Sequence, residues 1–149
     1  MTEDEFDLGR FLPYALSQAA EATSMGFQKF YRQRYGMLRT EWRVLFHLGV
    51  YGQMTASDIC MRARMHKTKI SRAVHRLTER RFIERVTDTQ DRRVAHLTLT
   101  AQGRAAYDDL RNVAEQYERN LMAHLAPEEV GALRRALAKL SASGVRDFT

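Results

Sequence analysis

The stretch from His66 to Arg80, HKTKISRAVHRLTER, constrains the fold more than any other part of this sequence. Its apolar residues recur at the i, i+3, i+4 and i+7 positions that share one face of an α-helix: Ile70, Ala73, Val74 and Leu77. The opposite face is polar: Thr68, Arg72, His75 and Glu79, flanked by Lys69, Ser71 and Arg76. The pattern predicts a helix with one buried face and one cationic face, the division that insertion into the DNA major groove requires.

The residues before this helix predict a second, shorter helix. Thr55-Ala56-Ser57-Asp58 has the spacing of a capping box, in which a hydroxyl and an acid satisfy the first turn. A short helix over Ala56–Ala63 is expected to follow, and Arg64-Met65-His66 forms a break before the cationic helix. Two helices joined by a tight turn make a helix-turn-helix unit.

The residues after the cationic helix predict a β-hairpin. Two strands are expected, over Phe82–Thr87 and Val94–Thr100. The polar turn between them, residues 88–93, carries two arginines near its tip. A two-stranded ribbon after a recognition helix is a wing, so residues 55–100 are predicted to form a winged helix-turn-helix.

Positive charge is concentrated in this same module. Residues 62–93 hold eleven Lys and Arg side chains against four acids, a net charge of +7, whereas the whole chain carries +6. The remainder is therefore close to neutral. A localised cationic surface is typical of a phosphate-binding footprint.

Long apolar helices are predicted on both sides of the module. The first extends from about Asp7 to Arg34 and begins or kinks near Leu12, because Pro13 is tolerated only at a helix start. Thr40 is expected to cap a helix over residues 41–51. After the wing, helices are expected over residues 101–125 and 127–143, with Gly144 ending the last one.

These elements predict a mainly α fold with a small two-stranded wing. Residues 36–103 are expected to form the winged helix-turn-helix lobe, and residues 1–35 and 104–149 a helical dimerisation region. Operators read by helix-turn-helix proteins are usually two half-sites about one DNA turn (~34 Å) apart. The terminal helices are therefore the expected interface of a two-fold dimer.

The module resembles the winged helix-turn-helix of the MarR (multiple antibiotic resistance regulator) family of transcription factors, and the resemblance extends over the full length. The matching runs are Asp58-Ile59-Cys60, Lys67-Thr68-Lys69-Ile70-Ser71-Arg72, Leu77-Thr78-Glu79-Arg80, Ile83-Glu84-Arg85, Asp91-Arg92-Arg93 and, most specifically, Leu97-Thr98-Leu99-Thr100-Ala101-Gln102-Gly103. Arg64 and Arg81 depart from the pattern, because the family often has glycine at these turns, where a left-handed backbone then has no steric cost. Either the turns differ or the strain is tolerated. His66 stands where a Ser cap is common, which predicts a weaker helix start.

The exposed side chains of the cationic helix are the candidate DNA contacts. Base edges are expected to be contacted from the centre of its exposed face by Thr68, Lys69, Arg72 and His75, with Arg72 the best candidate for a guanine. Phosphates, which carry no sequence information, are assigned to Lys67, Ser71 and Arg76. The resemblance implies that a wing-tip arginine, Arg92 or Arg93, enters the minor groove. We prefer Arg93, oriented by an ion pair with Asp91.

The resemblance also implies an effector pocket between the dimer helices and the winged lobe, often for a small aromatic or phenolic anion. Its candidate residues are aromatic or cationic: Phe11, Tyr14, Trp42, Arg43 and Phe46. Aromatic residues at helical spacing usually belong to a core, and we favour that interpretation here.

Other chemistries have little support in the sequence. The single cysteine, Cys60, is expected to be a buried, unreactive thiol. The five histidines include no i, i+4 pair, so no metal or other cofactor is expected. There is no phosphate-cradling glycine loop or nucleophile elbow, so an enzyme is not expected. The lack of a long apolar run, of a signal-peptide pattern and of a second cysteine predicts a cytoplasmic protein.

The sequence thus predicts a DNA-binding transcriptional regulator, a repressor, that acts as a homodimer on a palindromic operator and is released by a small-molecule effector. Two alternatives stay open at this point: a winged-helix module for protein or RNA interaction, and an effector-free architectural DNA binder. Base-specific loss of affinity in Arg72→Ala would exclude the first alternative, and a ligand-dependent affinity would exclude the second.

Overall fold

The computed structural model describes residues 5–143 and divides the chain into two compact units, Met1–Val113 and Ala114–Thr149. The elements are, in order, α1 (Leu12–Tyr35), α2 (Arg39–Tyr51), β1 (Met54–Thr55), α3 (Ala56–Ala63), α4 (Lys67–Glu79), β2 (Ile83–Thr87), β3 (Ala95–Leu99), α5 (Ala101–Met122) and α6 (Pro127–Ser143). This architecture confirms the predicted mainly α fold with a winged helix-turn-helix.

The N-terminal helix begins near Pro13, one of the two predicted alternatives, and does not extend back to Asp7. A short 3₁₀ turn over Leu8–Arg10 comes first, with the Asp7 carboxylate accepting a hydrogen bond from the Gly9 N–H at 3.0 Å. Helix α1 then starts at Leu12 with Pro13 in its first turn. Proline is tolerated there because that N–H has no partner within a helix.

The prediction that Thr40 caps the second helix is wrong. Helix α2 already includes Arg39, and Leu38 is the residue that precedes it. The Leu38 N–H donates to the Glu41 Oε2 atom at 2.8 Å, so a carboxylate in the first turn of α2 accepts the hydrogen bond of the residue before the helix.

Helix α5 also ends at Met122, earlier than the predicted residue 125. Gly144, predicted to end α6, lies outside the described residues.

The wing belongs to a sheet of three strands, where the sequence analysis predicted two. The strand order is β1-β3-β2 and both pairings are antiparallel. Met54 of β1 lies opposite Leu97 of β3, which in turn faces Arg85 of β2. A strand of two residues is too short to show an alternating pattern, which explains why β1 was missed.

The predicted buried face of α4 is confirmed. Its four apolar residues, Ile70, Ala73, Val74 and Leu77, are all at most 2% exposed. Helix α4 packs mainly against α2 and α3. Because one side of α4 is sealed in the core in this way, its opposite side must face outward, and this fixes which side chains the lobe presents.

The beginning of α5 lies against Arg81 and Phe82, in the short connection between α4 and β2. The Thr100 hydroxyl accepts a hydrogen bond from the Gly103 N–H at 3.0 Å and donates to the Arg81 carbonyl at 2.6 Å. A Cβ atom at Gly103 would lie only 1.9 Å from the Phe82 carbonyl oxygen. The absence of a side chain at Gly103 therefore allows β2 and α5 to meet.

The second unit consists of the end of α5 and helix α6. Glu129 accepts a hydrogen bond from the Ala126 N–H at 3.0 Å, and Arg134 pairs with Glu118 at 3.0 Å. Three leucines of α6, Leu133, Leu137 and Leu140, are 40–45% exposed. Within the described residues, no helix has the length and apolar character that a membrane span requires.

Candidate nucleic-acid interface

The helix-turn-helix is built as the sequence predicted. Thr55 and Asp58 cap α3 reciprocally, since the Asp58 N–H donates to Thr55 Oγ1 at 3.1 Å and the Thr55 N–H to Asp58 Oδ2 at 3.2 Å. Helix α3 ends at Ala63, and α4 begins at Lys67. The capping box, the break and the start of the recognition helix are therefore all confirmed.

The two turns that depart from the family pattern keep a left-handed backbone. Arg64 has φ 52° and ψ 49°, and Arg81 has φ 63°. A left-handed conformation costs a residue with a Cβ roughly 1–2 kcal/mol. The strain is tolerated, and both turns retain the conformation that glycine would favour.

The start of α4 is capped by a histidine ring. The Thr68 N–H donates to His66 Nδ1 at 3.2 Å. An imidazole nitrogen accepts only when it carries no proton, so this cap uses the neutral ring. His66 thus fills the position where the family often has serine, although the bond is long.

The outward face of α4 presents every residue of this helix that the sequence analysis assigned to DNA. Seven side chains are exposed there: Lys67, Thr68, Lys69, Ser71, Arg72, His75 and Arg76. His75 pairs with Glu79 at 3.1 Å, one turn further along the helix. Within residues 5–143, no hydrogen bond or ion pair to another side chain holds Lys67, Lys69 or Arg72.

Arg76 has a partner that the sequence did not suggest. Its Nε atom lies 3.5 Å from Oε1 of Glu41, a carboxylate with 0% exposure. The arginine side chain itself stays half exposed. A buried carboxylate is stable only beside a positive or hydrogen-bonding group, and one side of the Arg76 guanidinium provides that group for Glu41.

The beginning of α2 forms a groove with the cationic flank of α4. The cavity has a volume of about 320 Å³ and is lined by Leu38, Thr40, Glu41, Lys69, Arg72, Ala73 and Arg76. The sequence does not indicate that Thr40 and Leu38 belong to this groove. They lie about thirty residues before α4, and only the packing of α2 on α4 brings them there.

The wing tip is ordered by two aspartates. Asp88 Oδ1 accepts the Gln90 N–H at 2.7 Å, and Asp88 Oδ2 lies 3.1 Å from His96 Nε2. The backbone N–H of Gln90 and then the His96 ring hold the pKa of Asp88 below its ordinary value. Asp91 Oδ1 accepts from both the backbone N–H of Arg93 at 3.0 Å and its Nε at 3.3 Å. This is the predicted Asp91–Arg93 pair, and both Arg92 and Arg93 are exposed.

A polar network joins the end of α4 to α1 and α5. Arg80 donates a hydrogen bond to the Tyr35 carbonyl oxygen. The Tyr35 hydroxyl donates to Asp109 Oδ2 at 2.7 Å, and Arg34 pairs with Asp109 Oδ1 at 2.7 Å. Burial, followed by the Asp109 carboxylate, raises the pKa of Tyr35 to about 12. The Tyr35 hydroxyl and the Arg34 guanidinium lower the pKa of Asp109.

The candidate effector residues fall into two groups. Trp42 and Phe46 are half-buried in an aromatic cluster, with ring centroids 5.2 Å apart and Phe27 5.3 Å from Trp42. Arg43 is half-buried on the same helix. Phe11 is 47% exposed and Tyr14 39% exposed at the beginning of α1. The ring of Phe11 contacts Phe6, with the centroids 5.4 Å apart, whereas the ring contacts of Trp42 and Phe46 among the described residues are with Phe27, Tyr31, Tyr107 and each other.

Cys60 is half-buried, where the sequence analysis expected full burial. Within residues 5–143, no cluster of three His, Cys, Asp or Glu side chains is arranged to hold a metal ion.

A capped helix-turn-helix, an exposed cationic recognition face and an ordered wing define the class of this protein as a winged helix-turn-helix. Comparison with known proteins agrees with this class. Residues 35–94 match the sequence profile of the MarR family. The chain is 25% identical over 133 residues to the "Homoprotocatechuate degradative operon repressor" of Escherichia coli, covering 89% of each chain.

Solved structures share the fold over nearly the whole chain. A MarR family transcriptional regulator from Silicibacter pomeroyi is 27% identical, with a TM-score of 0.78 over 91% of this chain and 99% of that one. The BpsR protein of Bordetella bronchiseptica, in a structure described as a "mechanism for regulation of DNA binding" by 6-hydroxynicotinic acid, is 24% identical, with a TM-score of 0.81 over 91% and 96%. The lobe over residues 35–94 therefore resembles the MarR family, and the comparisons support a DNA-binding regulator of transcription.

Proposed function

We propose that this regulator is a repressor that binds a palindromic operator as a homodimer, with α4 of each protomer in a major groove. The observation that carries the proposal is the exposed face of α4. Lys69 and Arg72 project from a helix whose other face is sealed in the core, and within the described residues neither is held by another side chain. Unpaired cations on a rigid helix are ready to bond to guanine edges and phosphates.

The side chains of α4 divide into two roles. Arg72 is proposed to bond bidentately to a guanine, with Thr68, Lys69 and His75 contacting neighbouring base edges. His75 would exchange its contact with Glu79, 3.1 Å away, for a base. Lys67, Ser71 and the exposed side of Arg76 are proposed to hold phosphates. Thr40 is proposed as a further phosphate-binding residue, since it lines the groove beside Lys69 and Arg76.

The wing is proposed to contact the adjacent minor groove. Arg93, held by Asp91 through its backbone N–H and its Nε, is the side chain we expect to enter. A narrow minor groove concentrates negative potential and attracts an inserted arginine. Arg92 is exposed beside it and is proposed to contact the flanking phosphates.

The homodimer is supported by apolar side chains that a single chain leaves exposed. Eight exposed apolar side chains lie toward the two ends of the described region: Phe11, Leu12, Leu16, Met25, Phe30, Leu133, Leu137 and Leu140, all between 36% and 63% exposed. Large exposed apolar patches usually mark an interface. A second copy is the natural occupant, because a two-fold dimer matches the symmetry of a palindrome. Residues 1–35 and 104–149 stay the proposed dimerisation region.

The proposed effector is a small aromatic acid. The Bordetella relative is described as regulated by 6-hydroxynicotinic acid, and the Escherichia coli relative is named for repression of a homoprotocatechuate operon. Trp42 and Phe46 offer ring faces, and Arg43 offers a partner for a carboxylate. Phe11 and Tyr14 would complete the pocket only in the dimer. The effector acts by favouring a half-site spacing that does not fit DNA.

Selection from randomised duplex DNA, at two salt concentrations, tests this function. An enriched inverted repeat is expected for the wild-type protein. Arg72→Ala should lose about 1–3 kcal/mol of discrimination at one base position in each half-site. Lys67→Ala is the matched control, because it removes one phosphate contact per protomer, weakens all sequences equally, and reduces the magnitude of the slope of log K against log salt by about 1.8 for the dimer. Salt-dependent binding without an enriched sequence would exclude the proposal and favour an architectural DNA binder.

A further inference from the structure

Arg80 is one of the eleven cations that make the module basic, but its guanidinium is turned toward the protein. The residue caps the C-terminal end of α4. Its side chain donates to the backbone carbonyl of Tyr35, the last residue of α1, and lies 5.1 Å over the ring of Phe82. One N–H and the flat face of the guanidinium are therefore used within the lobe, although Arg80 lies at an exposed position.

The contacts of Arg80 continue beyond Tyr35. The Tyr35 ring meets Phe82 edge-on at 6.1 Å, and its hydroxyl donates to Asp109 of α5 at 2.7 Å. Arg34 holds the other oxygen of Asp109 at the same distance. The end of the recognition helix is thus tied through one arginine to α1, and through Tyr35 to α5.

We propose that Arg80 is a positioning residue, which sets the angle of α4 against α1 and α5 and makes no contact with DNA. The inference rests on the proposed function, in which α1 and α5 belong to the dimer-forming helices. Their attachment to α4 then determines the distance between the two recognition helices. Two simultaneous contacts of a planar group restrain an angle better than a single flexible ion pair.

The test compares operators that differ in half-site spacing. Affinity is measured for the selected inverted repeat and for versions with one base pair added or removed between the half-sites, each at several salt concentrations. For Arg80→Ala, the preference for the original spacing should fall roughly three- to tenfold. The slope of log K against log salt should stay at the wild-type value, since no phosphate contact is lost.

Three further variants separate positioning from the other roles. Arg80→Lys keeps the charge but lacks the planar face, so it should lose the spacing preference as Arg80→Ala does. Tyr35→Phe removes only the link to Asp109 and should show a smaller loss in the same direction. Lys67→Ala should lower the salt slope while keeping the spacing preference. A variant that is merely less stable has a smaller active fraction, which cancels in the ratio of two affinities.

The outcomes are distinct. A salt slope reduced in magnitude by about 1.8 in dimeric Arg80→Ala, with wild-type behaviour in Arg80→Lys, would make Arg80 a phosphate contact and overturn the inference. An unchanged spacing preference in both Arg80 variants would also overturn it, while leaving the proposed function intact. A wild-type protein that binds all spacings equally would overturn the dimeric function itself, and the positioning role with it.

Discussion

Replacing Gly103 with alanine sets helix propensity against tertiary packing. Glycine within a helix is less stable than alanine by about 0.5–1 kcal/mol, so propensity alone predicts that Gly103→Ala stabilises α5. The structure predicts the opposite sign. The new Cβ would lie 1.9 Å from the Phe82 carbonyl oxygen and 2.9 Å from its carbonyl carbon, well inside ordinary contact distance.

The clash cannot be relieved by a side-chain rotation, because both Phe82 atoms belong to the backbone. The Phe82 carbonyl is also held by the Thr100 N–H at 3.1 Å. Overpacking of this kind typically costs about 1–3 kcal/mol and occasionally more. Both clashing atoms are backbone, so we take the upper end of this cost; after subtraction of the gain of about 0.5–1 kcal/mol in helix propensity, we expect a net destabilisation of roughly 2 kcal/mol, with β2 and α5 pushed apart.

Urea unfolding at a fixed protomer concentration measures this change, because a dimer's apparent stability depends on concentration. Gly131→Ala in α6 is the matched control. Its Cβ would meet only the flexible end of Arg135, at 3.1 Å. It should stabilise the protein by about 0.5–1 kcal/mol. Wild-type or higher stability in Gly103→Ala would refute the packing argument.

Two further predictions concern strain and pH. Arg64→Gly and Arg81→Gly should each raise the free energy of unfolding by about 1 kcal/mol, because both arginines have a positive φ; thermal melts with no gain would contradict the strain. The Tyr35 hydroxyl and Arg34 hold the pKa of Asp109 below its ordinary value. The stability from Asp109 is therefore present above the unfolded-state pKa near ~4, and it is lost as the pH falls through the lower folded-state pKa. Asp109→Asn should flatten the acid side of the stability profile, and urea unfolding at pH 7 and pH 3 checks this.

Local signals predicted the recognition unit well. The reciprocal cap of Thr55 and Asp58 involves residues three apart, and the buried stripe of α4 is a repeat within eight residues. Both are interactions between sequence neighbours, so their spacing is visible without the fold. The Asp91–Arg93 pair at the wing tip was predicted for the same reason. The assignment of particular α4 and wing side chains to bases or phosphates stays a prediction.

Other features were beyond local pattern. Strand β1 has only two residues, and its partner Leu97 lies more than forty residues further along the chain. The predicted cap at Thr40 failed because Glu41 reaches back to the Leu38 N–H. Nothing in the sequence marked Glu41 as buried, since its neutralising contact comes from Arg76 on another helix.

The sequence by itself determined the class of this protein. Helical periodicity, the capping box and the clustering of eleven cations over residues 62–93 are short-range properties, and together they required an amphipathic basic helix within a winged lobe. The tertiary structure decided which of the exposed cations have partners within the lobe. Lys69 and Arg72 project from α4, whereas Arg76 is shared with Glu41 and Arg80 is turned toward Tyr35. The residue type determines the charge of a side chain, but the direction in which the side chain points depends on the distant segments that pack beside it.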